Sequence, residues 1–242
     1  MPEVVSILNI PVHAVTREQT IELIDRYMAE PCLHQIATVN PEFVMTAQAD
    51  PAFRHALKTA DLCLPDGVGL LYAARRRGRT LPERVPGSEL VYLLAQRAAW
   101  KGWPLFLLGA APGVAEEAAE VLTGLYPGLP IAGTYAGSPA ADENAAIVEL
   151  INTSGARLLF VAYGAPKQDK WIERNRLTLT TVRVAVGIGG SLDFITGRAV
   201  RAPQWVQDRG LEWLHRLYKE PWRWRRMLAL PRFALRVLFD RA

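Results

Sequence analysis

Residues 104–125 read PLFLLGAAPGVAEEAAEVLTGL: a short apolar run, a glycine-containing loop and an amphipathic helical pattern. The apolar run shows no alternation of polar and apolar residues, which is typical of a strand buried on both faces of a parallel sheet. Further strands are predicted at 131–134, 158–162 and 183–188, with helical patterns between them. Because strands that alternate with helices form a parallel sheet covered on both faces, the sequence predicts an α/β fold.

Shorter elements of the same kind precede this region. The earlier strands are predicted at 4–10, 12–15, 34–39 and 62–64. Pro11 is expected to separate the first two strands, and the Thr16–Gln19 spacing of a capping box predicts the start of the first helix. The predicted architecture is a Rossmann-like parallel-sheet core over residues 1–196, followed by a helical appendage over 197–242.

Composition restricts the class of protein. Half of the 242 residues are hydrophobic, which is enough for a sizeable core. Cys32 and Cys63 lie in separate apolar segments without metal-ligand spacing, so we expect both as reduced core residues of a cytosolic protein. Neither a signal peptide nor a transmembrane helix is expected, because the required basic and long apolar segments are not found.

The net charge of +4 is unevenly distributed along the chain. Residues 198–242 contain eleven basic and four acidic residues, so this tail carries +7 and the rest of the chain −3. The tail also contains four of the seven tryptophans. A mildly acidic body with a basic, tryptophan-rich tail indicates an anionic partner surface, either a membrane or a nucleic acid.

Asp66 is the first candidate for chemistry. It stands between Pro65 and Gly67, directly after a predicted strand. Proline ends the ladder of hydrogen bonds, and glycine lets the backbone approach a ligand closely. Ligands of open α/β sheets bind at the carboxyl ends of strands, so Asp66 is expected in a ligand site. The alternative is that Asp66 caps the helix that follows it.

Two loops offer candidate nucleotide contacts. Tyr135 follows a predicted strand and presents an aromatic face that suits a nucleobase, although packing on a neighbouring helix explains it equally well. The stretch 164–169 reads GAPKQD and places Lys167 and Gln168 in the first turn of a helix. Backbone donors and the helix dipole favour an anion there, and Gln168 could bind a sugar hydroxyl.

A third loop, 187–193, reads GIGGSLD. Glycines such as Gly190 let backbone N–H groups surround a phosphate. Asp193 could bind the hydroxyl pair of a ribose, or it could pair with an arginine in the 198–201 region. Together with the loops above, this pattern predicts one nucleotide-sized pocket that faces Asp66.

These stretches together resemble the WecG/TagA/CpsF glycosyltransferase family, whose fold type is called GT-E. The resemblance covers nearly the whole chain and rests on an ordered set of motifs. They are TVNPE at 38–42, PDG at 65–67, GAPKQ at 164–168, GIGGSLDF at 187–194, RAPQW at 201–205 and the tryptophan- and arginine-rich stretch 210–226. Asp169 departs from the family, which usually has Glu there, but the charge is the same.

The resemblance implies an inverting, membrane-associated transferase. Such an enzyme moves N-acetylmannosamine from a UDP donor to polyprenyl-diphosphate-linked N-acetylglucosamine, in the synthesis of a cell-surface polysaccharide such as a teichoic-acid linkage unit. Asp66 is implied as the general base that deprotonates the acceptor hydroxyl. The residues implied to hold the donor sugar and the acceptor are Thr38, Asn40 and Gln168, and those implied to hold the uridine are Tyr135, Gly190 and Asp193. Lys167 is a substrate-binding candidate from its place at the helix start.

The tail arginines are expected to stabilise the leaving UDP. The chain contains no Asp-x-Asp motif, so neither a metal nor another cofactor is expected on the diphosphate. The developing charge then needs protein cations, and arginine binds phosphates bidentately. Arg216, Arg223 and Arg226 are the candidates, which the resemblance implies to fold over the active site. They could instead contact lipid headgroups, or do both.

Location and partners follow from the tail as well. Aromatic residues and leucines mix with arginines over 222–230 and 233–239, which predicts an amphipathic helix in the interface of an anionic membrane. Packing on another protomer is the alternative, so a homo-oligomer stays open. The resemblance therefore implies a cytoplasmic enzyme that is peripherally associated with the inner face of the cell membrane.

The sequence leaves other functions open. Within the same family, the donor could be the uronic acid of UDP-N-acetylmannosamine, or UDP-glucose for an exopolysaccharide. A basic nucleic-acid-binding protein is the alternative from another class, but the body is acidic and has no recognised nucleic-acid motif. A nicotinamide-dependent enzyme is disfavoured because the glycine fingerprint is missing after the predicted strands.

Overall fold

The computed structural model describes residues 2–200, 202–203, 206, 212–219 and 224–239. The strands are β1 (Val4–Ile7), β2 (Ile10–His13), β3 (His34–Val39), β4 (Leu62–Pro65), β5 (Leu105–Gly109), β6 (Ile131–Tyr135), β7 (Leu158–Ala162) and β8 (Val184–Gly187). The helices of the body are α1 (Arg17–Ala29), α2 (Pro41–Ala49), α3 (Pro51–Thr59), α4 (Val68–Arg76), α5 (Gly87–Lys101), α6 (Val114–Leu125), α7 (Asn144–Thr153), α8 (Lys167–Arg174) and α9 (Ser191–Ile195). The tail contributes α10 (Glu212–Lys219), α11 (Trp224–Met227) and α12 (Ala229–Phe239).

Six strands of the described chain form one parallel sheet in the order β4-β3-β8-β7-β5-β6. Every residue of the inner strands β3, β5, β7 and β8 is buried, and so is every residue of β4, which a helical layer and the N-terminal hairpin cover. Strand β6, at the opposite edge, is half-buried. The predicted α/β parallel sheet is therefore confirmed, and so are the unalternating apolar strands on which the prediction rests.

The N-terminal hairpin differs from the prediction. The chain turns at Leu8 and Asn9, which have φ values of +48° and +65°, and Pro11 lies inside β2 rather than between two strands. Pro11 stands opposite Ser6 in a hairpin that has only these two strands among the described residues. Proline is tolerated in an edge strand because a strand with only one neighbour does not need every backbone N–H for pairing. The prediction that Pro11 separates two strands is therefore wrong, because the turn lies at Leu8 and Asn9.

The last helix packs against the body. Phe233 and Val237, one helical turn apart on α12, are both 4% exposed. They share a buried cluster with the β1–β2 hairpin, α2 and α3. A Cβ at Gly69 would lie 2.8 Å from Pro41 Cγ and 3.6 Å from the Phe233 ring, so a glycine at this position lets α4 and the tail approach α2 closely. The described part of the appendage contains the helices α10, α11 and α12, which is consistent with the prediction.

Two further findings concern the sequence predictions. Cys63 is buried, but Cys32 is exposed, so the prediction that both thiols are core residues is wrong for Cys32. Cys32 lies in the short connection between α1 and β3, where its apolar sequence neighbours do not bury it. Among the residues that the structure describes, no helix has both the length and the apolar character needed to span a bilayer.

Candidate active site

A cleft of about 1700 Å³ opens at the carboxyl ends of the sheet strands. The loops after β3, β4, β7 and β8 form its floor, and residues of the tail helices line one side. A pocket for one small molecule typically measures about 300–1000 Å³. The cleft is therefore large enough for two substrates side by side. Of the residues singled out from the sequence, it brings together Thr38, Asn40, Asp66, Gln168, Gly190, Asp193 and Arg226.

Asp66 lies in the cleft at the end of β4. Its backbone N–H donates to the Val39 carbonyl at 2.7 Å, which continues the pairing of β3 with β4. Helix α4 begins at Val68 with Gly67 as its N-cap residue, so Asp66 is not the N-cap residue of the helix that follows it. Its Oδ2 instead accepts from the N–H of Gly87 at 3.3 Å, at the start of α5. The positive end of a helix favours the ionised carboxylate.

Thr38 adjoins Asp66 on the neighbouring strand. The pairing of β3 with β4 places Thr38 beside Leu64, two residues before Asp66. Its side chain is packed against Gly87, where a Cβ would come within 3.0 Å of the Thr38 Oγ1. Thr38, Asp66 and Gly87 therefore form one close-packed group, in which a side chain at position 87 would displace the threonine hydroxyl.

The side-chain oxygen of Asn40 has a structural role, whereas its amide nitrogen is a candidate for binding a substrate. Its Oδ1 accepts from the Phe43 N–H at 2.9 Å and caps α2, which begins with Pro41. That cap fixes the side chain at the edge of the cleft, because an N-cap holds both the rotamer and the backbone. With Oδ1 engaged, the group through which Asn40 can bind a substrate is the Nδ2 amide, a hydrogen-bond donor.

Gln168 supports the glycine loop after β8. Its side chain is almost fully buried, and its Oε1 accepts from the Gly189 N–H at 2.9 Å. A Cβ at Gly187 would lie 2.5 Å from the Gln168 Nε2, so this close contact requires glycine at position 187. Gln168 thus fixes the backbone that leads to Gly190 and Asp193, both of which line the cleft.

Asp169 lies buried beneath this loop. It is 0% exposed, and neither carboxylate oxygen makes a hydrogen bond to a described residue. Its backbone carbonyl accepts from the Gln35 side chain at 3.0 Å, which joins α8 to β3. Burial raises the pKa of Asp169 to about 7.

Tyr135 and Lys167 lie outside the cleft as its described residues define it. Tyr135 is 40% exposed on the edge strand β6, and Lys167 is exposed at the start of α8. Tyr163 lines the cleft in their place, and sequence reasoning missed it. Burial, with Glu143 and Tyr135 close by, raises the pKa of the Tyr163 phenol above its usual value. Its position directly before the GAPKQ motif was the available signal.

Three arginines of the described chain line the cleft: Arg84, Arg198 and Arg226. Arg226, on α11, donates from Nε to Glu42 Oε1 at 2.6 Å, so the predicted tail cation contacts the body at the start of α2. Arg198 binds Glu117 at 2.7 Å, and Arg201, the other arginine of the region foreseen to pair with Asp193, lies outside the described residues. Arg223 lies outside the described residues. Of Arg216 the structure describes only its place in α10.

Comparison with known proteins adds independent findings. The model of the family described as "Glycosyl transferase WecG/TagA/CpsF family" matches residues 5–242. A relative from Bacillus subtilis (strain 168) is 35% identical over 203 residues, which cover 84% of this chain and 78% of the relative. A relative from Bacillus spizizenii (strain ATCC 23059 / NRRL B-14472 / W23) is 37% identical over the same shares. Both relatives are named N-acetylglucosaminyldiphosphoundecaprenol N-acetyl-beta-D-mannosaminyltransferase.

Proposed function

The chain belongs to the WecG/TagA/CpsF glycosyltransferase family, and from that premise we propose that it transfers N-acetylmannosamine from UDP-N-acetylmannosamine to undecaprenyl-diphosphate-linked N-acetylglucosamine, with inversion and without a metal. The names of the two relatives support the sugar and the acceptor. The observation that carries the proposal is the position of Asp66 in a cleft large enough for both substrates, beside Thr38 and Asn40.

Asp66 is proposed as the general base. The acceptor hydroxyl oxygen forms a bond to the anomeric carbon from the face opposite UDP, the bond from that carbon to the UDP oxygen breaks, and the hydroxyl proton passes to Asp66. The Gly87 N–H, at the start of α5, orients the carboxylate. An ionised aspartate is a weak base, so its contribution depends on precise placement against the acceptor.

The leaving diphosphate is assigned to arginines. Arg226 is half-exposed and contacts Glu42, which itself lines the cleft. A diphosphate carries more charge than one carboxylate, so we expect Arg226 to exchange Glu42 for the donor when UDP-sugar binds. Arg84 and Arg198 line the same cleft, and Arg216 and Arg223 remain assigned to this role on the resemblance alone.

The remaining contacts divide between the two substrates. Thr38 and the Asn40 amide are proposed to hold the sugars near Asp66, and Gln168 to keep the glycine loop in place. Gly190 and Asp193 are proposed to bind the uridine diphosphate end. Lys167 and Tyr135 retain their proposed substrate roles only if the donor extends beyond the described cleft.

Metal independence is proposed from the chemistry of the side chains. The acidic residues described in the cleft are Glu42, Asp66 and Asp193, which lie on different elements. Within the described residues, the side chains close enough to share an ion are Glu30, Cys32 and His34, and these lie at the amino end of β3. Arginine contacts are therefore the better-supported source of charge for the leaving group.

Peripheral contact with the cytoplasmic face of an anionic membrane is proposed for the tail. On α12, Phe233 and Val237 face the body, whereas Leu235, Leu238 and Phe239 are exposed by 55%, 43% and 80%. Arg232 and Arg236 are exposed on the same helix. Exposed apolar residues interleaved with arginines suit the headgroup region of an anionic bilayer, where the lipid-linked acceptor is found.

A donor screen tests the proposed substrate. Release of UDP is followed with a lipid-diphosphate-N-acetylglucosamine acceptor and, in turn, UDP-N-acetylmannosamine, its uronic acid and UDP-glucose. We expect the first donor to give the highest kcat/KM by at least about tenfold, because a site built to bind a substrate group discriminates against analogues that lack it. A higher kcat/KM with either other donor would overturn the assignment of the sugar while leaving the reaction class intact.

A further inference from the structure

Three metal-ligand side chains meet at the end of the sheet opposite the cleft. Glu30 ends α1, Cys32 lies in the connection, and His34 opens β3. The His34 Nε2 lies 3.0 Å from Glu30 Oε2 and 3.3 Å from Cys32 Sγ, and the Cys32 Sγ lies 4.0 Å from the same carboxylate oxygen. Among the described residues this is the group whose three ligand atoms all lie within 4.8 Å of one another.

The local backbone explains why these side chains converge. Residues 30–34 read EPCLH, so the three ligands occupy alternate positions. Glu30 is extended, with φ −84° and ψ 150°, and His34 is in a strand. Residues 30–32 form a bend between the end of α1 and β3, and this bend brings the Glu30 and Cys32 side chains beside His34. Leu33, between two ligands, is buried in the core and anchors the connection.

The separations match those of a four-coordinate zinc site. With Zn–S about 2.3 Å and Zn–N and Zn–O about 2.0–2.1 Å, tetrahedral angles place the ligand atoms roughly 3.3–3.6 Å apart. Of the three separations, 3.0 Å is below that range, 3.3 Å is at its lower limit and 4.0 Å is above it. Side-chain shifts of a few tenths of an ångström would therefore bring all three atoms onto one ion.

The second ring nitrogen of His34 also has the environment of a ligand. Its Nδ1 lies 3.2 Å from Asp61 Oδ1, in a contact whose angle falls short of a hydrogen bond. Asp61 Oδ2 accepts from the Gln35 N–H at 2.9 Å and from the Arg176 guanidinium, so this carboxylate is held in place. Histidine ligands usually donate their other N–H to such a carboxylate, which fixes the tautomer that leaves Nε2 free for the metal.

We propose that Glu30, Cys32 and His34 form a binding site for a divalent transition metal of the zinc class, with solvent in the fourth position. Thiolate, imidazole and carboxylate together favour zinc over calcium or magnesium, which prefer oxygen ligands. The site joins the end of α1 to β3 and, through Asp61, to the start of β4. It is remote from the cleft, so its role is structural or regulatory. It does not depend on the proposed function.

Metal titration of the purified, reduced full-length chain tests the site. Zn²⁺ affinity is measured by competition with a chromogenic chelator, and Co²⁺ serves as a spectroscopic probe because a thiolate ligand gives a charge-transfer band in the near ultraviolet. Cys32 and Glu30 are exposed, so Cys32→Ser and Glu30→Gln are expected to fold. Glu22→Gln is the matched control, since it removes an exposed carboxylate from the same helix.

We expect one metal per wild-type chain, the charge-transfer band with Co²⁺, and a Tm that rises with added Zn²⁺. Cys32→Ser should abolish the band and weaken Zn²⁺ binding at least about tenfold, Glu30→Gln should weaken it severalfold, and Glu22→Gln should match the wild type. Equal binding by wild type and Cys32→Ser, or no band in the wild type, would overturn the proposal. Circular dichroism checks that each variant is folded. If a variant is not folded, the presence or absence of the Co²⁺ charge-transfer band in the wild type decides whether the proposal holds.

Discussion

At the scale of single residues, the environment of Asp66 and the role proposed for it act in opposite directions. The start of α5 stabilises its charge, whereas a general base must accept a proton in the transition state. Asp66→Asn keeps an oxygen that can accept from the Gly87 N–H, so the fold and UDP binding should be retained. We expect kcat to fall by about 10²-fold or more, measured as UDP release with saturating substrates. Turnover within a few-fold of the wild type would show that Asp66 is not the base.

Asp169 provides a residue-scale prediction about pH. Its pKa is raised to about 7 in the folded protein and is near 3.8 in the unfolded chain. Between those values the folded state holds a proton that the unfolded state has released, so this group makes stability fall as pH rises from about 4 to 7. Asp169→Asn should remove that slope in urea unfolding experiments, and should stabilise the protein relative to wild type at pH 8.

The control for this experiment is Asp142→Asn, which changes an exposed carboxyl group. Its difference from the wild type should vary with pH far less than that of Asp169→Asn, since the exposed Asp142 side chain remains in contact with water when the chain folds. If Asp169→Asn and Asp142→Asn show the same pH dependence, the carboxyl group of Asp169 is not raised by burial.

At the scale of elements, the two faces of helix α12 are expected to have different roles: the buried face stabilises the fold, and the exposed face contacts the membrane. Leu235→Glu with Phe239→Glu changes the exposed face only and should lower binding to anionic liposomes by about tenfold or more, because it removes apolar contacts and adds negative charge. Activity on a water-soluble acceptor analogue should be unchanged. Sedimentation with liposomes measures the first property and UDP release the second.

A matched control for α12 is Leu177→Glu, which changes a leucine that is 92% exposed but lies on the body. It should bind liposomes as the wild type does. Phe233→Ala should act differently again, because it opens a cavity in a buried cluster and should destabilise the fold by about 3–5 kcal/mol. If the double glutamate variant binds liposomes normally, the exposed face of α12 is not the membrane contact.

The elements also show how far the sequence could be read. Strands β3 and β7 have the predicted bounds, because neither contains glycine or proline and each has one of these residues within three positions of both ends. A position in the cleft could be predicted for Asp66, which directly follows β4, and for Gln168, which lies in the first turn of the helix after β7. It could not be predicted for Arg84, since lining a cleft depends on how loops fold over it. The exposure of Cys32 likewise depends on tertiary packing rather than on its apolar neighbours.

At the scale of the whole molecule, two kinds of metal dependence must be distinguished. In the proposed mechanism arginines stabilise the leaving UDP, so turnover at constant temperature should be unaffected by EDTA. Removal of an ion from Glu30, Cys32 and His34 should instead lower Tm, and Cys32→Ser should show no such shift. Loss of turnover with EDTA that Mg²⁺ or Mn²⁺ restores in both wild type and Cys32→Ser would contradict the metal-independent mechanism.

The central claim concerns the whole reaction: an inverting transfer of N-acetylmannosamine within the cleft at the carboxyl ends of the sheet. The most direct measurement is the anomeric configuration of the disaccharide product, determined by NMR, from α-linked UDP-N-acetylmannosamine and a soluble diphosphate-N-acetylglucosamine acceptor. A single attack from the face opposite UDP predicts a β-linked product, which Asp66→Asn forms at least about 10²-fold more slowly. An α-linked product, or no N-acetylmannosaminyl product from a folded enzyme, would contradict the account.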